Sequence, residues 1–523
     1  MSFPDRRHHA ARWVEGRVSR PQQERSRLGR TGSCHVTIAW LLLLTASAGC
    51  RQAQGPAHAA ESPAVLKVGI GTVTSGTAEA GLQRLRQFLT TEALLTVTSD
   101  GRLSPWLADS WSTSPDDLTL KIRLIPGVRF HDGSPVDAAT VSRTLLSSLP
   151  ESMGTTYEDI ADIQAGADET VTVSLRRPSP FVLEALQFET IRKAPDEPIG
   201  TGPFVDSGAV TTNEVRANEA YYLGAPRIER VILNSYPSIR AAWADLLRDR
   251  LDMLYEVGSD ALESLQNTRQ VAVFQYTRDY QSALIFNPRA PVFRQAAVRR
   301  ALNMAIDRES VIRDALEGRA EISSGPITPH HWAFRADLPG FSYDPQTAAR
   351  LLQSVPGARS LTFECLVPPD TERLALVVKR QLQAVGVEMN VREASPNEFA
   401  QAVASRRFEA VMTEFMGGPT LFKVYGVWHS RGSLVGGLGG PLLDAALDRV
   451  RHASTDDEYR GGVADVQRAV VTDPPAIFLA WSRRARAVSR RFEVPAEPDT
   501  DVLGTLRLWR PVNGRLLADG RRN

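Results

Sequence analysis

Apolar positions along this chain repeat with two periods, and the period decides the element. Val65, Leu66, Val68 and Ile70 form a short run ending at Gly71, which predicts a strand. Leu118 to Leu124 alternates apolar and polar residues, the pattern of a half-buried strand, and Pro126-Gly127 predicts the turn after it. Val171 to Leu175 alternates again. Between these runs the spacing lengthens. A helix is expected to open at Val136-Asp137, to carry Val141, Leu145 and Leu149 on one face, and to close at Pro150. Trp243, Leu246, Leu247, Leu251 and Leu254 stand at helical spacing. Over 296–316, Val298, Leu302, Ala305, Ile306, Val311, Ile312 and Leu316 form one apolar stripe, with Gly318 at the expected stop. The clearest unit is 361–391. A strand from Leu361 to Val367 precedes a helical face of Leu374, Val377, Val378, Leu382 and Val385, which Gly386 ends. Val387, Met389 and Val391 then alternate. Strand, helix and strand at this spacing predict a parallel pair with a right-handed crossover, and so an α/β lobe.

Length and composition narrow the picture. A chain of 523 residues exceeds one ordinary core, so two or more lobes are expected. The net charge of +1 gives no overall field for nucleic acid, and the arginines are scattered. An arginine-rich leader precedes an apolar run, Val36 to Ala46, that is too short to span a bilayer and fits a signal peptide. The run ends in Ala46-Ser47-Ala48-Gly49-Cys50, which resembles a bacterial lipobox with Cys50 as the lipidated residue. Ser47 stands where that pattern usually has leucine. Residues 51–63 read as a tether. Of the three cysteines, Cys34 and Cys50 lie in or at the edge of this targeting region, and Cys365 sits alone in an apolar run as an expected core thiol. No disulfide framework or cysteine-built zinc site is then available within the body.

Motifs with chemical meaning are few. His131-Asp132-Gly133 predicts a tight turn rather than an acid–base pair. Gly200-Thr201-Gly202-Pro203 lacks the lysine and hydroxyl residue of a phosphate loop. His330-His331 follows Pro329 and has no ligand partner at helical spacing, so no metal is expected. No Gly-x-Ser-x-Gly elbow and no His-Glu-x-x-His helix occurs. The sequence therefore predicts no catalytic residues and no cofactor.

Several ordered blocks resemble a family, the extracellular solute-binding proteins of family 5, of the dipeptide- and oligopeptide-binding type. They are Glu92-Ala93-Leu94-Leu95, Asp100 to Trp111, Ser114 to Thr119, Ile125 to Pro135, Gly200 to Phe204, Asn218 to Gly224, Phe286-Asn287, Arg299 to Arg308 and Gly325-Pro326-Ile327. Ile125 departs from the pattern, which has arginine there. The resemblance implies a two-lobed periplasmic-binding-protein fold of α/β class with an extra inserted subdomain and a ligand cleft between the lobes. Lobe I would comprise 64–103, 199–288 and 482–523, the inserted subdomain 104–198, and lobe II 289–481. It implies a monomeric, non-enzymatic, membrane-anchored lipoprotein of the periplasm or cell surface. Such a protein captures a small organic solute, peptide-like by family habit, and delivers it to an ABC permease. A sensing or chaperone-like binding protein of the same fold, and a secreted hydrolase, are the competing classes.

Candidate ligand residues are the cleft ends of both lobes. They are Thr74 and Ser75 after the first strand, Phe286 and Asn287 at an expected crossover, Met416, Gly417, Gly418 and Thr420, Trp428, and Trp481 at the return crossover. Aromatic and backbone groups are what a closing cleft uses to hold an organic solute. Peptide binders of this family commonly hold the peptide ammonium with an aspartate in an Asp-Pro context, and Gly418 stands at that place before Pro419. Glu414 would substitute for it if it faced the cleft.

Overall fold

Two long strands carry the chain between two halves of one sheet, and everything that bears on function is arranged around them. The computed structural model describes residues 64–71, 78–194, 199–206, 213–432, 437–498 and 500–512. Strand β1 (Val65–Gly71) leads to helix α1 (Ala78–Thr90). A separate antiparallel sheet follows, made of β2 (Ala108–Thr113), β3 (Thr119–Leu124), β4 (Ile160–Ala165) and β5 (Thr170–Leu175) in the order β2-β3-β5-β4. Its apolar side (Leu120, Ile122, Leu124, Val171, Val173) shares a core with α2 (Ala138–Met153) and the short α3 (Pro180–Ala185).

The chain then returns to the main sheet through β6 (Phe204–Asp206), β7 (Glu214–Ala217), β8 (Arg230–Tyr236), α4 (Ile239–Leu247) and β9 (Met253–Leu254). Strand β10 (Val271–Phe286) crosses to the second half, followed by α5 (Ala296–Met304), α6 (Arg308–Ala315) and β11 (Ala320–Ile322). The second half continues with β12 (Thr362–Val367), α7 (Glu372–Gln383), β13 (Glu388–Glu393), β14 (Ala410–Met416), α8 (Leu421–Trp428), α9 (Pro441–Arg451) and α10 (Asp456–Thr472). Strand β15 (Ala476–Ser489) crosses back. The sheet runs β6-β7-β8-β1-β9-β15-β10-β14-β12-β13, with β11 on β15. Pairs β1–β8, β1–β9, β12–β13 and β12–β14 are parallel, while β10 and β15 are antiparallel to each other and to their flanking strands.

The expected strand–helix–strand unit is present: Thr362 pairs with Glu388 in a parallel ladder, and Gly386 ends the approach to β13 at φ +83°. Three expectations need correction. Pro150 does not close α2, which runs on to Met153. The amide that proline lacks would have bonded the carbonyl of Leu146, a residue 44% exposed, so water can take that carbonyl. The 243–254 periodicity is split: the helix ends at Leu247, Asp249 takes φ +55°, and Leu254 belongs to β9. The stripe over 296–316 is two helices, because the Asp307 side chain accepts the Ser310 amide and caps a new start.

Candidate functional site

The crossing strands change register where the halves meet. Thr277 of β10 faces Arg483 of β15, but the next pair is Gln281 with Trp481, so 278–280 bulge out of the ladder. A bulge re-aims side chains, and here it leaves two buried polar groups unsatisfied. Gln281 is fully buried; its Nε2 donates to Ser323 Oγ (2.6 Å) and to the Gly325 carbonyl (2.7 Å), while its Oε1 has no partner. Trp481 is 1% exposed and its Nε1–H likewise has none. One missing donor and one missing acceptor thus sit on facing residues of adjacent strands. Each orphan costs about 1–3 kcal/mol if nothing meets it.

On the opposite side of the same strands, Glu414 accepts from Ser482 Oγ and pairs with Arg484, which also pairs with Glu256 at 2.8 Å. Burial opposes the Arg484 charge, but the carboxylates of Glu256 and Glu414 outweigh it and hold the guanidinium protonated. Glu414 is therefore committed to a cation of its own chain.

From Met416, which is 48% exposed, the chain turns through buried Gly417 and Gly418 into α8. Gly418 takes φ +81°, and a Cβ there would lie 2.6 Å from Lys423 Cβ, so no side chain fits while that lysine packs where it does. Thr420, 1% exposed, caps the helix by conformation, and its Oγ1 accepts from Gln187 Nε2 at 3.3 Å. The Phe422 amide donates to Glu184 at 2.8 Å, and the Tyr459 hydroxyl donates to the same carboxylate at 2.7 Å. Burial pushes the Glu184 pKa up to about 7 against the pull of these donors. Thus α3 and α8 meet through a buried carboxylate at a helix N-terminus, the end where the helix dipole favours negative charge. Beside it, Phe181 packs edge-on against Phe422 and Tyr425, at 6.0 and 5.5 Å between ring centroids. Arg451 and Asp159, 1% and 0% exposed, pair at 2.7 Å across the same seam.

The remaining candidates scatter. Trp428 lies in the core against Phe415 and Phe478, and Trp481 alone of the two indoles brings a free polar atom to the crossover. Phe286 faces Ala410, whereas Tyr280 faces Met416, so Phe286 lies six residues along the ladder, roughly 20 Å from the bulge. It packs against Phe293 at 4.7 Å, and Asn287 donates to the carbonyls of Arg406 (3.2 Å) and Phe408 (2.7 Å). The register shift between β10 and β15 thus lies at 277–281, away from Phe286. Thr74, Ser75 and Cys50 lie outside the described residues. His330 pairs with Glu321 at 2.7 Å, and the described residues contain no group of three or more metal-ligating side chains. Cys365 is buried, which pushes its thiol pKa up. No helix among the described residues is long and apolar enough to cross a membrane.

Sequence reasoning missed Gln281, Arg484, Glu184 and Lys423. For Glu184 the signal was available: a single charge inside Phe181-Val182-Leu183-Glu184-Ala185-Leu186 must be partnered if that run is buried.

Against this geometry, comparisons with known proteins agree with one another. A probable di/tripeptide-binding protein of Pseudomonas aeruginosa is 24% identical over 365 residues, 61% of this chain and 68% of its own length. The oligopeptide-binding protein AppA of Bacillus subtilis is 22% identical over 457 residues, covering 77% of this chain and 83% of its own. The crystal structure of NikZ from Campylobacter jejuni in complex with Ni(L-His) superposes with a TM-score of 0.71 at 22% identity, over 85% of this chain and 99% of that one. This fold is the two-lobed α/β fold of periplasmic binding proteins. The model of the bacterial extracellular solute-binding proteins, family 5, matches residues 102–432, well over half the sequence, and the chain belongs to that family as a substrate-binding protein.

Proposed function

We propose that the chain captures a peptide or related small organic solute outside the inner membrane and delivers it to an ABC permease. Lobe I (64–103, 199–288 and 482–523), the inserted subdomain (104–198) and lobe II (289–481) are its working parts, hinged on β10 and β15. The observation that carries the reading is the facing pair of orphaned groups at the crossover, Trp481 Nε1 and Gln281 Oε1. A donor and an acceptor without a protein partner, side by side, match what an amide presents, and a closing cleft is where a solute meets them. Relatives named for di- and tripeptides and for oligopeptides support the same class. Glu414 does not serve as the anchor for a ligand ammonium in this reading, because Arg484 already neutralises it. Met416, Gly417, Gly418 and Thr420 line the approach. The protein works as a monomer, tethered through lipid on Cys50.

The test is a thermal-shift screen of the chain from about residue 52 onward against short peptides, opines, sugars and metal chelates. A ligand of the folded state raises the melting temperature by mass action, by about 2.7 kcal/mol of stabilisation at a hundredfold excess over Kd. Peptides should shift the wild type, and Trp481→Phe should shift less at equal concentration. A shift with sugars or chelates alone would reject the peptide class, and equal shifts in both proteins would remove Trp481 from the site. Anchoring has its own test: Cys50→Ala should move the protein from the membrane to the soluble fraction, and persistent membrane association would reject lipidation.

A further inference from the structure

Ile228, Leu506 and Trp509 are buried in the core around β1 and β8, and the residues beside them face out together. Leu223 and Arg227, from the loop between β7 and β8, line a shallow cavity of about 220 Å³. Arg507, Leu508 and Arg510 close its other side. Three guanidiniums there meet one carboxylate. Glu493 is taken up by Arg510, in a two-pronged pair at 2.9 Å. Arg507 donates to the Leu223 carbonyl at 3.4 Å, and neither it nor Arg227 forms an ion pair among the described residues. Glu229, exposed on the same loop, does not line the cavity. Leu223 and Leu508, 38% and 45% exposed, flank the two uncompensated charges.

The place of this face on the chain points to what covers it. Ala64, the first residue of the described body, accepts the amides of Glu229 (2.8 Å) and Arg230 (3.3 Å), two and three residues from Arg227. The tether proposed above, residues 51–63, therefore joins the body at the edge of this face. A segment of that length reaches at most about 45 Å when extended and about 20 Å as a coil. A body held so close to a bilayer meets it at high effective concentration, so weak contacts suffice. Arginine forks suit phosphate oxygens, and exposed leucines among them suit the boundary between headgroups and acyl chains. We propose that this face docks on an anionic phospholipid surface, with Arg227 and Arg507 on headgroup phosphates and Leu223 and Leu508 seated at the acyl boundary. The inference rests on the membrane-tethered reading above and adds how the body lies on the bilayer. Each arginine near such a surface strengthens binding about fivefold. Two give about twenty-five-fold, too little to hold an untethered protein through fractionation.

The experiment is co-sedimentation of the chain from residue 52 with vesicles. This chain carries no lipid, so the outcome does not depend on whether Cys50 is modified, which the Cys50→Ala fractionation tests separately. The vesicles are phosphatidylcholine alone or mixed with phosphatidylglycerol, at low and high salt. Wild type should partition onto the mixed vesicles at least about tenfold better than onto neutral ones, and high salt should remove most of the difference. Arg227→Gln with Arg507→Gln should lose about tenfold or more. Arg350→Gln with Arg359→Gln removes the same charge from lobe II and should stay within about twofold of wild type, because charges beyond a Debye length are screened. Leu223→Ser with Leu508→Ser should weaken partition and leave its salt dependence. All are surface changes, so each variant should melt within about 3 °C of wild type. Equal partition of the wild type onto neutral vesicles overturns the proposal. Undiminished partition in the Arg227/Arg507 or the Leu223/Leu508 variant does the same. Equal loss in both arginine pairs overturns it by making binding a matter of net charge alone. No binding of the wild type to protein-free vesicles overturns it too, and leaves the face to a protein partner.

Discussion

A carboxyl group walled in by apolar residues holds its proton longer than one in water, and Glu184 is such a group. Its pKa rises from an ordinary 4.5 to about 7 on folding. The folded state therefore binds more protons than the unfolded state between those values. Stability carried by this group is complete below about pH 4.5, falls as pH rises toward 7, and is flat above. The shift corresponds to about 3 kcal/mol. Glu184→Gln keeps the shape and an acceptor for the Phe422 amide but cannot titrate. Its urea-unfolding free energy should lose the decline that the wild type shows between pH 5 and pH 7, and an unchanged decline would place the titration elsewhere. At this scale the sequence was legible where a residue's role is local. Asp132 accepts the Ser134 amide at 3.0 Å and Gly133 sits at φ +84°, as His131-Asp132-Gly133 predicts for a turn. It was opaque where partners are remote. Glu92 gathers Trp106 (2.9 Å), Thr201 (2.8 Å) and Tyr221 from three separate blocks, and nothing in their spacing says so.

Elements were read best where one periodicity spans one element, as in 361–391, and worst where a cap interrupts an unbroken apolar stripe, as at Asp307. Blocks that carry the family resemblance hold elements together. Arg308, 5% exposed, donates to the carbonyls of Ser323 (3.1 Å) and Phe478 (2.7 Å), and Asn303 to that of Ala476 (3.0 Å). The seam between α9 and the strand approach at Asp159 works in the same way. Arg451 gives Nε and one Nη to Asp159 at 2.7 and 2.9 Å, with Tyr425 and Glu158 beside it. Removing one partner of a buried pair strands the other, at about 3–5 kcal/mol. Asp159→Ala should cost about 3 kcal/mol, the low end, because Glu158 stays within 3.1 Å of Arg451. Asp159→Ala with Arg451→Met should cost less than the sum of the single changes in a double-mutant cycle; additive costs would show that the pair is not coupled.

Over the molecule as a whole, the apolar cores do not follow chain order. Expected as an insertion into lobe I, the subdomain shares a continuous apolar core with α8, α9 and α10, in which Phe181, Leu186, Phe422, Tyr425 and Leu447 are all nearly or fully buried. The β1–β8 side has its own core around Leu66, Val68, Leu85 and Trp509. Cores that do not merge can move apart on hinges, and cores that merge cannot without exposing apolar area at about 25 cal/mol/Å². In the function proposed above, closure would swing the β1–β8 body against the subdomain and the helices α8, α9 and α10 that share its core, about β10 and β15. Phe181→Ala tests this division. It removes a fully buried ring that touches both Phe422 and Tyr425, at about 3–5 kcal/mol. In hydrogen exchange its effect should spread through 138–191 and 421–472 together, while 64–71 and 230–254 keep wild-type protection. Loss of protection confined to 138–191 would mean that the subdomain opens alone, and the hinge would then have to lie between α3 and α8 instead of in the long strands.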